Sequence, residues 1–275
     1  MIYFFESEKQ MEKKRFDLRQ ETKDLLRKLA DLDRKVIIIF ISVAILQTIS
    51  WYYTSRRFFR YNIFDSLQDN QHVYLIEYLY WFMGDFFSFF ILPVIIIKFL
   101  LKEKIRNYGI TFGDYRAGIK ISLIFLGIML PLVWFASALP QFSSAYPELK
   151  TTIDSWNVFF IFEIGLFIYL VAWEFVWRGF MLFGLEEKFG YYAIFIQMIP
   201  FLILHNGKPV LEAFGAIIAG LALGVLAYRT RSIFYCVVTH ACVMFSIDFI
   251  SVLRYRAGNY GVGFISLIHV FKQIF

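Results

Sequence analysis

The stretch from Trp173 to Asp248 decides the fold of this chain and the place of its chemistry. Its three apolar parts read VAWEFVWRGFMLFGLEEKFG (171–190), FLILHNGKPVLEAFGAIIAGLALG (201–224) and SIFYCVVTHACVMFSIDF (232–249). Each part carries ionisable residues where an ordinary membrane helix has leucine or valine. A charge in the hydrocarbon core costs at least roughly 2.5–3.5 kcal/mol, so such residues usually line a site inside a helical bundle. The stretch therefore predicts a polar site within the membrane.

The composition is that of a polytopic membrane protein. Of the 275 residues, 59% are hydrophobic and 21% aromatic, and the mean hydropathy is +0.59. Soluble domains are about 45–50% apolar, and here the excess is gathered into runs long enough to span a bilayer as helices. The formal net charge of +6 reflects basic residues that flank membrane spans and set their orientation. We therefore expect an all-α, polytopic transmembrane helical bundle and no nucleic-acid partner.

The apolar runs predict about eight membrane segments, with the polar site inside the C-terminal half. The fourth segment is longer than a bilayer core, so it should tilt, bend near Gly179 or protrude. The fifth and the eighth are short enough to be partial spans. The segments lie at about 36–53, 74–97, 118–139, 156–185, 191–205, 209–228, 232–253 and 262–275.

Charge patterning predicts the orientation of the chain. With the N-terminus inside, twenty Lys and Arg residues fall on the inner side and seven on the outer side, which favours both termini in the cytoplasm. We expect an integral membrane protein, in the plasma membrane if the host is a bacterium. The first region is amphipathic and charged, which fits an interfacial or partner-binding helix or a solvated lead-in. The four predicted regions are the cytoplasmic segment 1–35, the N-terminal transmembrane helices 36–155, the motif-bearing region 156–255 and the C-terminal membrane segment 256–275.

The ionisable residues of the quoted stretch fit one polar chamber. Glu174 and Arg178 are four residues apart and share a helix face, where they could also serve only to stabilise the helix. His205 and His240 are two of only four histidines and lie in separate apolar segments. Glu174, His240 and His205 lie roughly 16, 12 and 21 Å from the inner ends of their helices, so they can converge. Two histidines and a glutamate can hold zinc and activate a water.

The order of these residues resembles the CPBP family of intramembrane metalloproteases. This family (CAAX protease and bacteriocin-processing, also called Abi) includes the type II CAAX prenyl endopeptidases. Its signature is EExxxR, FxxxH and then HxxxN or HxxxD, each on a different transmembrane helix. Glu174-Phe-Val-Trp-Arg178 resembles the second half of the first motif. Phe201-Leu-Ile-Leu-His205 matches the second motif in full, and His240 matches the start of the third.

The resemblance implies a membrane metalloendopeptidase. His205, His240 and Glu174 would hold a divalent metal, zinc first, or the two histidines would stabilise the oxyanion without a metal. Glu174 or Glu212 would take the proton of the attacking water, and Arg178 completes the first motif. The implied substrate is a membrane-anchored or amphipathic peptide that enters from the cytoplasmic side of the bilayer. Prenylated CAAX chain ends are included where the host prenylates proteins.

Two motif positions depart from the family pattern. Trp173 stands where the family has the first glutamate, which is thought to activate the water, and Met244 stands where it has the last Asn or Asp. These departures favour an alternative, a catalytically impaired family member that acts as a membrane scaffold or immunity protein. A second alternative is a transporter with an intramembrane charge pathway, although no inverted repeat is visible between the two halves of the chain.

Two acidic residues are candidate replacements for the missing groups. Pro209 suits the first turn of a helix, which places Glu212 near the start of that helix and one tight turn after His205. Glu212 is therefore a second candidate for the base. Asp248 lies two turns beyond the histidine of the third motif and could replace the missing polar ligand. Pairing of Asp248 with Arg254 is the interpretation that we favour for this residue.

Overall fold

The computed structural model describes residues 17–274, and within that range the chain is helical and contains no β-strand. Nine of its helices have eight or more residues. They are α1 Leu18–Ala30, α2 Arg34–Asn62, α3 Val73–Leu101, α4 Tyr115–Ala136, α5 Trp156–Phe189, α6 Tyr192–Ile203, α7 Val210–Thr230, α8 Phe234–Ala257 and α9 Phe264–Ile274. The predicted all-α polytopic bundle is confirmed.

Six of the helices, α2, α3, α4, α5, α7 and α8, are long and apolar enough to cross a membrane. Helices α6 and α9 are shorter, as predicted for the fifth and the eighth segments. All eight predicted segments are thus helical, and the chain is an integral membrane protein. The side on which each terminus lies stays a prediction, as do the boundaries of the four regions.

Helix α1 is the described part of the predicted cytoplasmic segment. Asp17 caps its N-terminus by accepting hydrogen bonds from the backbone N–H groups of Arg19 and Gln20. None of its residues is buried, so the helix packs against nothing in the described part of the chain. Its assignment as an interfacial or partner-binding helix stays a prediction, and residues 1–16 lie outside the described residues.

Helix α5 is the centre of the bundle. It packs against α3 along much of its length and also contacts α6, α7 and α8. All residues from Ala172 to Leu185 are buried. A π-helical stretch, Phe175–Met181, interrupts the α-helix immediately after Glu174 and includes Gly179. Such widened turns are rare and frequently mark functional sites. The tilt, the bend near Gly179 or the protrusion that the length of this segment predicts stays a prediction.

Close packing of α6 against α7 sets the position of the loop that carries His205. Gly224 lies so near to α6 that an added Cβ would be 2.8 Å from a side-chain carbon of Ile194. The buried amide of Gln197 on α6 donates a hydrogen bond to the carbonyl of Gly220, at 2.9 Å. Small residues at such a contact let helix backbones approach closely, and the amide bond fixes the register of the pair.

Two buried acidic residues of α3 form ion pairs and hydrogen bonds with α2 in the N-terminal half of the chain. Glu77 accepts from Arg56 at 2.7 Å and from Arg60 at 2.8 Å. Asp85 accepts from the Thr54 hydroxyl at 2.6 Å and from the Trp81 indole at 2.7 Å. Both carboxylates therefore tie α2 and α3 together and have local partners for this purpose.

Gly113 is expected to be essential for the packing of the α3–α4 loop. Its φ is +50°, and an added Cβ would overlap the carbonyl oxygen of Thr230 at the end of α7. Gly113→Ala should lower the free energy of unfolding by more than about 1 kcal/mol, because backbone strain and steric overlap act together. Thermal unfolding in detergent measures the effect. Gly127→Ala is the control, since an added Cβ there meets nothing within 4 Å, and equal stability of both variants would contradict the prediction.

Candidate active site

Glu174 is the centre of a buried polar cluster formed by α5 and α8. Its Oε1 accepts a hydrogen bond from His240 Nδ1 at 2.6 Å and one from Arg178 Nη1 at 3.2 Å. Glu174 and Arg178 have no exposed surface, whereas 15% of the His240 side chain is exposed. A buried carboxylate needs partners of this kind to remain charged. The structure therefore brings three of the sequence-predicted site residues into direct contact.

Phe201 connects this cluster to the second histidine. The Arg178 guanidinium carbon lies 4.1 Å from the centre of the Phe201 ring, and that ring lies 4.4 Å from the ring of His205. A guanidinium that stacks on an aromatic face is stabilised there, more so when water is excluded. Phe201 therefore has a structural role in the site, because its ring contacts both Arg178 of α5 and the ring of His205.

Hydrogen bonds set the tautomer of both histidines. His240 Nδ1 faces a carboxylate oxygen, and His205 Nδ1 lies 2.8 Å from the backbone carbonyl of Phe201. Both partners only accept hydrogen bonds, so each Nδ1 carries the hydrogen. In the neutral form each Nε2 then has a lone pair free for a water or a substrate group. This division, in which one ring nitrogen orients and the other reacts, is typical of functional histidines.

Trp173 lies beside His205 at the position where the resemblance expects a carboxylate. The two ring centres are 6.1 Å apart, and the indole also packs against Phe201 at 5.9 Å and against Trp177 at 5.6 Å. Only 7% of Trp173 is exposed. An apolar ring therefore fills the space next to His205, and the carboxylate that contacts His240 is that of Glu174.

Residues 152–246 match the family model described as type II CAAX prenyl endopeptidase Rce1-like. This part, about a third of the chain, is similar to the Rce1-like family. The matched range contains Glu174, Arg178, His205, Glu212 and His240, and we refer to it below as the Rce1-like region. No curated protein and no solved structure matches the chain. The matched family is in agreement with the family that the sequence motifs resemble.

Glu212 lies in the Rce1-like region but belongs to a different polar cluster. Both of its carboxylate oxygens accept from the Tyr146 hydroxyl, at 2.8 and 2.7 Å. The Lys208 ammonium lies 3.2 Å from Glu148 Oε1 and 3.4 Å from the Tyr146 hydroxyl. Within residues 17–274, no hydrogen bond joins Glu212 to either histidine of the site. The close approach of Glu212 to His205 that the tight turn predicts therefore does not extend to a hydrogen bond.

Ionic neighbours keep Lys208 charged and Tyr146 protonated. Burial lowers the pKa of Lys208, but the negative charges of Glu148 and Glu212 more than offset burial, so the net shift is upward. Burial, together with the charge of Glu212, raises the pKa of the Tyr146 phenol well above its ordinary value. Lys208 and Tyr146 are therefore hydrogen-bond donors throughout the physiological pH range, and they hold the carboxylates of this cluster in place.

Asp248 lies just beyond the Rce1-like region and binds the loop between α4 and α5, residues 137–155. Its Oδ1 accepts from the backbone N–H of Glu148 at 2.9 Å. The expected pairing of Asp248 with Arg254 is wrong. Arg254 instead donates to the Ser137 hydroxyl at 2.7 Å and to nearby backbone carbonyls. The Arg254 guanidinium thus binds groups at the end of α4 and just after α8. Asp248, in contrast, holds the α4–α5 loop against α8.

Tyr146 and Glu148 are site-adjacent residues that sequence reasoning missed. Both lie in the α4–α5 loop, outside the resemblance, and they contact residues sixty to a hundred positions away. No local pattern pairs such distant positions. The only signal in the sequence is that the loop combines a tyrosine, a glutamate and a lysine within five residues. Together with Lys208, Glu212 and Asp248, these two residues hold the loop against the Rce1-like region.

The Tyr146–Glu212 hydrogen bond is expected to keep the α4–α5 loop closed. Tyr146→Phe removes a donor to a half-buried carboxylate, a loss of about 1–3 kcal/mol. The loop should then open about tenfold more often, because a local opening depends on the contacts that it breaks. Trypsin cleavage after the exposed Lys150 measures this opening. Tyr52→Phe, at an exposed tyrosine of α2, is the control, and unchanged cleavage in Tyr146→Phe would show that other contacts close the loop.

The described residues do not fit a metal site with three protein ligands. Catalytic zinc usually has three such ligands, and no group of three or more His, Cys, Asp or Glu side chains within residues 17–274 is placed to hold a metal. Oε1 of Glu174 already accepts from Nδ1 of His240. The Glu174 carboxylate thus binds Nδ1 of His240 and not the free Nε2. In this position it orients the imidazole ring. We therefore assign no step of the chemistry to a metal.

Proposed function

We propose that this protein is an intramembrane endopeptidase that hydrolyses peptide bonds in a membrane-embedded polar chamber. The observation that carries the proposal is the 2.6 Å contact between Glu174 and His240, inside a region that matches the model of an endopeptidase family. A carboxylate that holds a histidine in one tautomer is the arrangement that turns an imidazole into an effective base.

His240 acts as the general base in the proposed reaction. Its Nε2 takes a proton from water, and the water oxygen attacks the carbonyl carbon of the scissile peptide bond. Glu174 is the positioning residue, because it orients the imidazole and stabilises the positive charge that the ring gains. When the C–N bond breaks, His240 returns the proton to the leaving nitrogen. The free Nε2 of His205 accepts the second hydrogen of the same water and holds the water for attack.

The proposed substrate is a membrane-anchored or amphipathic peptide. The matched family is described as a type II CAAX prenyl endopeptidase, and a lipid-anchored peptide would reach a site within the bilayer by lateral diffusion. Entry from the cytoplasmic side follows from the predicted orientation. The bilayer itself is the second partner, and no nucleic acid takes part.

Cleavage by the purified protein tests the proposal. The protein is reconstituted in liposomes with a farnesylated CAAX peptide, with the same peptide without the farnesyl group, and with a peptide that has a transmembrane anchor. Mass spectrometry of the products identifies the bond that is cleaved. Cleavage of an anchored peptide by the wild-type protein supports the proposal, and intact peptides in all three mixtures would contradict it.

Chelators are expected to leave cleavage unchanged. The described residues provide no three-ligand metal site, and the proposed base is an imidazole oriented by a carboxylate. Cleavage rates before and after incubation with EDTA and with 1,10-phenanthroline measure the effect. Loss of activity that added zinc restores would instead show that the two histidines bind a metal with a third ligand from water or substrate.

A catalytically impaired membrane scaffold or immunity protein is the second candidate function. Trp173 favours it, because the indole occupies the space beside His205 where the family motif has a glutamate. Under this alternative the wild-type protein cleaves nothing, whereas Trp173→Glu restores the missing carboxylate and gains cleavage. The same peptide mixtures therefore distinguish the two functions.

A further inference from the structure

Three arginines gather at the end of α2 that lies opposite the predicted cytoplasmic side. Ser55 has an extended backbone, with φ −68° and ψ 156°, and its hydroxyl accepts from the backbone N–H of Phe58. The helix restarts at this point and places Arg56, Arg57 and Arg60 on adjoining positions of one turn. They are three of the seven basic residues that the charge pattern assigns to the outer side. Basic residues are normally depleted on that side of a membrane protein.

One carboxylate serves two of these arginines. Nε of Arg56 and Nε of Arg60 both donate to the same oxygen of Glu77, at 2.7 and 2.8 Å. Within residues 17–274, no carboxylate forms an ion pair with Arg57. The cluster thus has three guanidinium groups for one buried carboxylate. More than half of the Arg60 side chain is exposed, at 54%, and Arg57 is exposed as well.

The arginines line a surface cavity of about 390 Å³. Its walls are Arg56, Arg57, Arg60 and Tyr61. Arg57 lies 5.7 Å from the centre of the Tyr61 ring, and the ring of Tyr78 lies 3.7 Å from the Arg56 guanidinium carbon. Aromatic faces of this kind hold guanidinium groups in place. The cavity is therefore cationic, and its walls are partly ordered before any ligand binds.

Exposed aromatic residues place the cavity at the surface of the bilayer. Trp and Tyr side chains concentrate where the hydrocarbon core meets the lipid headgroups. Aromatic side chains around the restart of the helix are 49–77% exposed, namely Trp51, Tyr52, Tyr53, Tyr61 and Tyr74. The arginine cavity lies among them and so at the level of the lipid phosphates.

We propose that this cavity binds a phosphate group, that of an anionic phospholipid headgroup. Arginine guanidinium groups match the geometry of phosphate and bind it through paired N–H donors. Arg57 and the outer nitrogens of Arg60 supply these donors, while Glu77 holds Arg56 and the Nε of Arg60 in place. The site is separate from the Glu174–His240 pair, and the proposal does not depend on the proposed peptidase activity.

Lipid binding by the full chain tests the proposal. The protein is purified in detergent and titrated with phosphatidylglycerol, phosphatidylcholine and inorganic phosphate. Bound phospholipid is counted by native mass spectrometry, and phosphate binding is measured by calorimetry. Arg57→Gln removes a guanidinium group that does not pair with Glu77, so it should leave the fold intact. Arg57→Gln/Arg60→Gln removes two charges, and Lys104→Gln/Arg106→Gln, at exposed positions of the α3–α4 loop, is the charge-matched control.

The expected result is a preference of the wild type and the control for phosphatidylglycerol over phosphatidylcholine. Arg57→Gln should weaken phosphatidylglycerol binding about tenfold, which corresponds to the loss of one charged contact. The double variant should weaken it further. If the substitutions weaken the binding of inorganic phosphate but not that of phosphatidylglycerol, the cavity is a phosphate site whose ligand is a soluble phosphate and not a lipid. Unchanged binding of both probes in the double variant, or an equal loss in the α3–α4 loop control, would overturn the proposal.

Discussion

Replacing His240 with alanine is expected to abolish peptide cleavage, lowering its rate by about 10³-fold or more. The imidazole supplies the base, and its ring is oriented by the Glu174 carboxylate at 2.6 Å. His205→Ala should have an effect of similar size, because His240 is already used as the base and the other two histidines, His72 and His269, lie far from the site in the sequence. Cleavage of the anchored peptides in liposomes measures both rates.

The two remaining histidines provide matched controls. His72 and His269 are exposed and lie outside the Rce1-like region, so alanine at either position should leave cleavage unchanged. Equal expression and equal thermal unfolding of all four variants would show that any loss arises at the site. Full activity of His205→Ala or of His240→Ala would remove that histidine from the proposed mechanism.

The fold could be predicted from the sequence because apolar run length is a strong signal. A run of about twenty apolar residues has few alternatives to a membrane helix, and all eight predicted segments are helical. The end of α2 was harder to place. The sequence puts the end of the first segment near residue 53, whereas the helix restarts after Ser55 and ends at Asn62. Glu77 accounts for the difference, since it binds Arg56 and Arg60 and holds the added turns against α3.

The candidate site was predictable only as far as its motifs reach. The four-residue spacing of Glu174 and Arg178 gives their contact directly. The contact between Glu174 and His240 joins residues 66 positions apart, and only the motif order of a known family indicates it. The α4–α5 loop lies outside every motif, so the Tyr146–Glu212 hydrogen bond and the binding of Asp248 to this loop could not be predicted. Such contacts depend on tertiary packing, which a single sequence does not contain.

The relative effects of two glutamate substitutions are expected to identify the carboxylate that serves the reaction. Glu174→Gln should lower the cleavage rate by about 10²–10⁴-fold, because glutamine keeps the shape but cannot stabilise a positive imidazole ring. Glu212→Gln should lower it by about tenfold or less. The Glu212 carboxylate binds Tyr146, so its loss acts through the α4–α5 loop and costs about one hydrogen bond to a charged group.

Trypsin cleavage after Lys150 separates the roles of the two residues further. Glu174 acts through His240, so Glu174→Gln should lower the rate and leave trypsin cleavage after Lys150 unchanged. Glu212→Gln should lower the rate only modestly and increase trypsin cleavage after Lys150. A larger loss in Glu212→Gln than in Glu174→Gln would move the base to Glu212, which the loop would then release on opening. If neither substitution alters the rate, no carboxylate serves the reaction and the proposed Glu174–His240 mechanism is wrong.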